Sequence, residues 1–204
     1  IKYNVKRFLL TAWSDGAADA SLFSTIPTLF YASLKAHNLQ LDKKSKAYFK
    51  SVIGMSFENY MLVDKLNRIH NDTINSDYNN LSFIFLYNDL LQGLFDEAVS
   101  LNCFDLYNSV SKMLTKNTKN DNFGYIFKSY KSLANVLKYK STLGLSIYNN
   151  YLQHDLDGLK NDVLSIKRTK RLLKQFMKDY EEQWHLENKS FGYEKQNIRL
   201  GGLY

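Results

Sequence analysis

Trp13 and Asp15 are the pair whose types and spacing suit chemistry on a bound ligand. They close a short apolar run, Lys6 to Trp13 (KRFLLTAW), and Asp15 falls in the turn Ser14-Asp15-Gly16 that follows. The run reads as a short buried strand, which puts both side chains at a strand's C-terminal end, ahead of a helix. In a barrel of alternating strands and helices, active sites are built at that end. An indole covers the apolar face of a sugar ring, and a carboxylate accepts hydrogen bonds from its hydroxyls. On spacing alone, a core tryptophan and a turn aspartate account for the same two residues, so both readings stay open.

Other chemical signatures are sparse. His37, His70, His154 and His185 are scattered without metal-ligand spacing. Gly201-Gly202 lacks the strand–loop–helix context of a phosphate-binding loop, and no serine sits in a nucleophile elbow. Among the 20 Asp and Glu, no pair stands in a setting that argues for glycosidase acid and nucleophile roles. The run Lys167-Arg168-Thr169-Lys170-Arg171 lies inside a helical pattern and reads as a solvated face, with no interleaved aromatics for base stacking. The single thiol, Cys103, sits among Leu101, Phe104 and Leu106, the setting of a buried, inert cysteine. It fits a reducing compartment, and a cytoplasmic location is expected.

The elements that must position Trp13 and Asp15 are mainly helical. The 204 residues include one Pro, 15 Tyr and 13 Phe, and 45% are hydrophobic, enough for a core. Ser24 and Thr25 are capping candidates ahead of Pro27, for a helix running to about His37-Asn38. Asp42 caps a helix ended by Gly54, and Ser56 caps the next. Asn71 to Asn80 reads as a polar loop. Leu81 to Val99 reads as a helix broken near Asn88-Asp89 and Gly93, and Leu101 to Leu114 as another helix. Two long stripes follow at 3–4 spacing. The first holds Ile126, Tyr130, Leu133 and Leu137, extended by Ile147 and Tyr151. The second holds Leu159, Val163, Ile166, Leu173, Phe176, Tyr180 and Trp184. Glu187 to Tyr204 reads as an extended tail, expected to dock against the barrel or a partner chain through Phe191, Tyr193, Ile198, Leu200 and Leu203. No apolar run approaches the ~18 residues of a membrane span, and no signal-peptide pattern is visible. The net charge of +7 leaves an acidic partner open, although no dense basic stripe dominates.

Two segments, Thr11 to Ser33 and Glu187 to Leu203, resemble family-20 glycoside hydrolases. The likeness is to the bacterial exo-β-N-acetylglucosaminidase branch that carries a helical C-terminal domain. Trp13, Asp15, Ser21, Phe23, Ser24 and Pro27 match the branch's pattern around its last barrel strand, loop and helix. Leu86-Tyr87-Asn88-Asp89 and Gly93-Leu94-Phe95-Asp96 resemble its helical domain. So does the tail, in Glu187-Asn188-Lys189, Phe191-Gly192 and Ile198-Arg199-Leu200-Gly201-Gly202-Leu203. Ser14, Gly16, Asp19, Ala20, Ser190 and Asn197 depart from that pattern.

The resemblance implies a mainly α chain, a helical C-terminal domain preceded by the last strand and helix of a (β/α)8 barrel. Residues 1–38 would be the final β/α unit and 39–204 the all-helical domain. It implies removal of terminal N-acetylhexosamine by a β-N-acetylhexosaminidase, in which the sugar's own acetamido oxygen attacks the anomeric carbon. The Asp-Glu pair of that reaction lies on an earlier barrel strand in the family, and nothing here matches it. No catalytic residue is therefore expected in this chain, with Trp13 and Asp15 left as substrate-binding residues. No cofactor, metal, nucleic acid or membrane is expected. The partner implied is an N-acetylglucosamine- or N-acetylgalactosamine-containing glycan, reached through the barrel. The aromatic load and polar tail also suit an interface, such as that of a homodimer. The opening Ile1-Lys2-Tyr3 carries no Met, and the chain is expected to begin inside a longer protein. A stand-alone helical interaction module without hydrolase activity is the alternative.

Overall fold

The computed structural model describes residues 7–12, 20–67, 80–99 and 102–204. Its frame is set by two long helices, α6 (Gly124–Leu152) and α7 (Leu156–Glu187), which form an antiparallel hairpin. At 1.5 Å per residue, α7 is about 48 Å long. Asp155 caps it, accepting from the backbone N–H groups of Asp157 and Gly158. In the three-residue turn between the helices, His154 takes a left-handed φ of 55°.

The other helices pack on this hairpin. A 3-10 turn, Leu22–Thr25, leads into α1 (Ile26–Ala36). Then come α2 (Lys43–Ile53), the short α3 (Phe57–Tyr60), α4 (Leu81–Tyr87), α5 (Cys103–Thr115) and, after α7, α8 (Tyr193–Gly201). The expected punctuation is present. Asp42 and Ser45 form a reciprocal capping box, Gly54 closes α2 at φ 76°, and Ser56 caps α3. Asn80 caps α4, and Asn38 ends the first helix in a left-handed turn. The Leu81–Val99 stretch breaks after Tyr87 and resumes as a 3-10 turn at Asp96–Ala98. Gly144 lets the break settle on α6, because a Cβ there would meet the Leu90 carbonyl oxygen at 2.6 Å.

The core is aromatic. Edge-to-face contacts run from Phe30 to Phe49 (5.1 Å), Phe49 to Phe57 (5.3 Å), Phe49 to Tyr60 (6.1 Å) and Tyr60 to Phe127 (5.8 Å). These join α1, α2 and α3 to α6, with each pair adding about 0.5–1.5 kcal/mol beyond its burial. Cys103 is fully buried, as its apolar setting implies.

Four expectations need correction. The strand over 6–13 is not formed: residues 7–12 run without regular structure and are exposed, and Lys6 and Trp13 lie outside the described residues. A strand needs a neighbour to take its N–H and C=O groups, and no other described segment is a strand. Ser24 and Thr25 do not cap α1; their hydroxyls bond back to the carbonyls of Ser21 and Leu22. Residues 187–204 are not extended. They turn at Gly192 into α8, which buries Gln196 and Leu200. The two long stripes are buried only in part: Leu137, Leu173, Phe176, Tyr180 and Trp184 are core, whereas Tyr151 and Val163, near the hairpin tip, are exposed. The polar loop expected at 71–80 lies outside the described residues except for Asn80.

Candidate functional site

A cleft of about 440 Å³ opens between the chain's N-terminal part and the helices. Its floor is Tyr130, Phe176, Tyr180 and Leu200, from α6, α7 and α8, and Phe83 and Tyr87 of α4 form a wall. Ala12 and Ala20 lie on its rim, and these residues bracket 13–19 in the sequence. Trp13 and Asp15 themselves fall outside the described residues. Asn67 and Ser82 also line the cleft and are joined: Ser82 donates to Asn67 Oδ1 from its backbone N–H (3.1 Å) and its hydroxyl (2.6 Å), which holds the wall in place.

Beside the cleft, polar side chains of the helices tie down the chain at Ser21 and Phe23. The backbone N–H of Ser21 donates to the Tyr130 hydroxyl at 3.1 Å. The Ser21 hydroxyl donates to Glu187 Oε1 at 2.5 Å. The Leu22 N–H and the Tyr125 hydroxyl lie near Glu187 and favour its charged form. The Tyr60 hydroxyl donates to the Phe23 carbonyl at 2.8 Å. Burial raises the Glu187 carboxyl above its ordinary range, against the pull of these hydrogen bonds. Burial likewise raises the Tyr60 and Tyr125 phenols, with the Glu187 charge adding to both, and pushes Tyr130 up to about 12.

A second buried charge lies further along α6. Lys140 Nζ donates to the carbonyls of Phe85 (3.2 Å) and Asn88 (2.7 Å), closing the C-terminal end of α4. Burial pulls its pKa down to about 8, with Asp89 acting in the opposite sense. A third buried charge, Asp179, is held by Ser132, Gln175 and Lys128 and fastens α6 to α7.

The histidines do not converge. His37 ends α1, His154 sits at the hairpin tip, His185 lies beside Tyr193 and Ser190, and His70 is outside the described residues. No group of three or more His, Cys, Asp or Glu able to hold a metal ion occurs among the described residues. No described helix is long and apolar enough to cross a membrane. The basic run winds around α7 rather than forming one face: Thr169 is buried between the exposed Arg168 and the half-buried Lys170. Two aromatic rings do meet it in space, Tyr139 under Arg168 at 5.2 Å and Tyr204 under Lys170 at 4.4 Å.

Sequence reasoning named Ser21 as part of a pattern but missed what holds it. One signal was available. Glu187 is the last residue of α7, where the helix dipole disfavours an anion, so a carboxylate there calls for compensating donors. The tyrosines carried no such signal, because a stripe of aromatic residues looks the same whether or not its hydroxyls are used. A search of curated proteins finds no match. The model of the Glycoside Hydrolase 20C C-terminal domain matches residues 58–204, well over half the chain. It begins at α3 and takes in both long helices and the tail. By that match, the chain belongs to the glycoside hydrolase 20C C-terminal domain family.

Proposed function

We propose that this chain is the C-terminal part of a β-N-acetylhexosaminidase and contributes no catalytic residue to it. The observation that carries the reading is the family match over 58–204. The apolar surface left on the residues before that domain supports it. Phe8, Leu9 and Leu10 are exposed, Leu9 at 86%, and so are Leu22 and Leu29. Such a cluster calls for a covering surface, and the body of a barrel is the cover that the resemblance implies.

In this reading residues 1–38 belong to the barrel and 39–204 to the helical domain. The enzyme removes terminal N-acetylhexosamine by substrate-assisted hydrolysis. Trp13 forms one wall of the sugar pocket, and Asp15 accepts hydrogen bonds from sugar hydroxyls. The helical domain covers the barrel and offers a face for a second subunit, and the enzyme works in the cytoplasm. The test is the hydrolysis of aryl N-acetyl-β-glucosaminides by the longer protein that carries this chain. Turnover there, together with a severe loss in Trp13→Ala, supports the reading; a longer protein without this activity overturns it.

A further inference from the structure

Tyr60, Tyr125, Tyr130 and Glu187 all lie within the family's helical domain, whereas Ser21, Leu22 and Phe23 lie before it. The hydrogen bonds from Ser21 to Tyr130 and Glu187 and from Tyr60 to Phe23 therefore cross between the domain and the chain that precedes it. They engage a side-chain hydroxyl, a backbone N–H and a carbonyl. Ser24 Oγ donates to the Ser21 carbonyl at 2.6 Å and locks the same turn internally. A group so fully engaged has one position.

The energetics point the same way. Glu187 is a half-buried carboxylate, and the donor that meets it is the Ser21 hydroxyl, at 2.5 Å. It also sits at the helix end where the dipole opposes its charge. A side chain placed against two opposing effects, yet held on one hydroxyl of the preceding chain, acts through the geometry of that contact rather than through net stabilisation.

We propose that Glu187 is a positioning residue: with Tyr60 and Tyr130 it clamps Ser21–Phe23 and so fixes how the preceding chain joins the helical domain. Trp13 lies eight residues before Ser21 in the sequence. The functional half of the inference rests on the sugar-binding reading of Trp13 and Asp15. The clamp itself does not.

Two measurements separate the halves. In the 204-residue chain, hydrogen–deuterium exchange reads the amide of Ser21, which donates to Tyr130, and that of Leu22 beside it. Glu187→Ala should speed their exchange by about tenfold or more while α5, α6 and α7 stay protected. Tyr130→Phe, which keeps the ring but removes the acceptor of the Ser21 N–H, should speed exchange at Ser21 at least as much. Glu187→Gln, which keeps an acceptor oxygen for the Ser21 hydroxyl, should restore most of the protection. Unchanged exchange at 21–22, or an equal rise throughout the helices, overturns the clamp.

In the longer hydrolase, Glu187→Ala should raise KM for an aryl N-acetylhexosaminide several-fold with little change in kcat, and Glu187→Gln should recover it. Faster exchange at 21–22 with an unaltered KM overturns the positioning role. Trp13→Ala in the same assay judges the pocket separately. If that variant keeps wild-type kcat and KM, the pocket reading and the functional half fall together, and exchange alone decides the clamp.

Discussion

Lys140 shows how a single buried group gives this protein a pH signature. An unfolded lysine keeps its proton to about pH 10.5, whereas the folded one releases it near 8. Below pH 8 both states are protonated and the cost of burying the charge is fully present. Between 8 and 10.5 the unfolded chain holds the extra proton, so stability rises with pH. Above about pH 10 the buried tyrosines reverse the trend, because Tyr60, Tyr107 and Tyr125 stay protonated when folded and ionise when unfolded. The urea midpoint should therefore rise between pH 8 and 9.5, and Lys140→Met should flatten that rise; parallel slopes in the two proteins would refute the assignment. At the proposed sugar pocket, Trp13→Ala in the longer hydrolase should lower kcat/KM by about 10²-fold, the scale on which lost substrate positioning acts. His154→Ala, in the exposed hairpin turn, should leave it near wild type; equal and mild effects would argue against the pocket. Lys140 escaped the sequence reading, and Glu187 was named there only as part of the tail pattern. A Lys in a helical pattern is ordinarily solvated, and what buries this one is the packing of α4 against α6, which no local spacing encodes.

The elements were far more legible, because their ends are written in short-range chemistry. Asp42, Gly54 and Ser56 each stand where the capping rules place them. The errors come where tertiary context decides. Gly192, Gly201 and Gly202 look like breakers of an extended tail, yet Gly192 sits just before α8 with a φ of 98°, and Gly201 is its last residue. The tail packs on its own helical domain through part of its apolar set. Leu200 is 1% exposed and the Trp184 indole donates to the Lys189 carbonyl at 2.9 Å, but Phe191 and Ile198 face outward. Leu200→Ala should cost about 2–5 kcal/mol, and at roughly 2–4 °C per kcal/mol it should lower Tm by about 4 °C or more. Deleting residues 188–204 should lower Tm at least as much. A change under about 1 °C in either variant would make the tail an appendage.

On the scale of the whole molecule, the periodicity of the stripes gave the helical class, and the family resemblance added what periodicity could not. The strand is not formed here because an apolar run needs a sheet to receive its backbone groups, and residues 7–12 lie exposed. The +7 charge should not make this a nucleic-acid binder. Arg168 and Lys170 already stack on Tyr139 and Tyr204, so binding should be weak, indifferent to sequence and lost with added salt; submicromolar, sequence-selective binding at physiological salt would contradict this. The central claim is that this helical chain belongs to a hexosaminidase without supplying its catalytic groups. Its most direct test is an assay of the purified 204-residue chain, beside the longer protein, on an aryl N-acetyl-β-glucosaminide. The account predicts turnover by the longer protein and none by the chain, since general acid catalysis alone is worth about 10²–10⁴-fold. Clear turnover by the chain itself, free of contaminating enzyme, would contradict it.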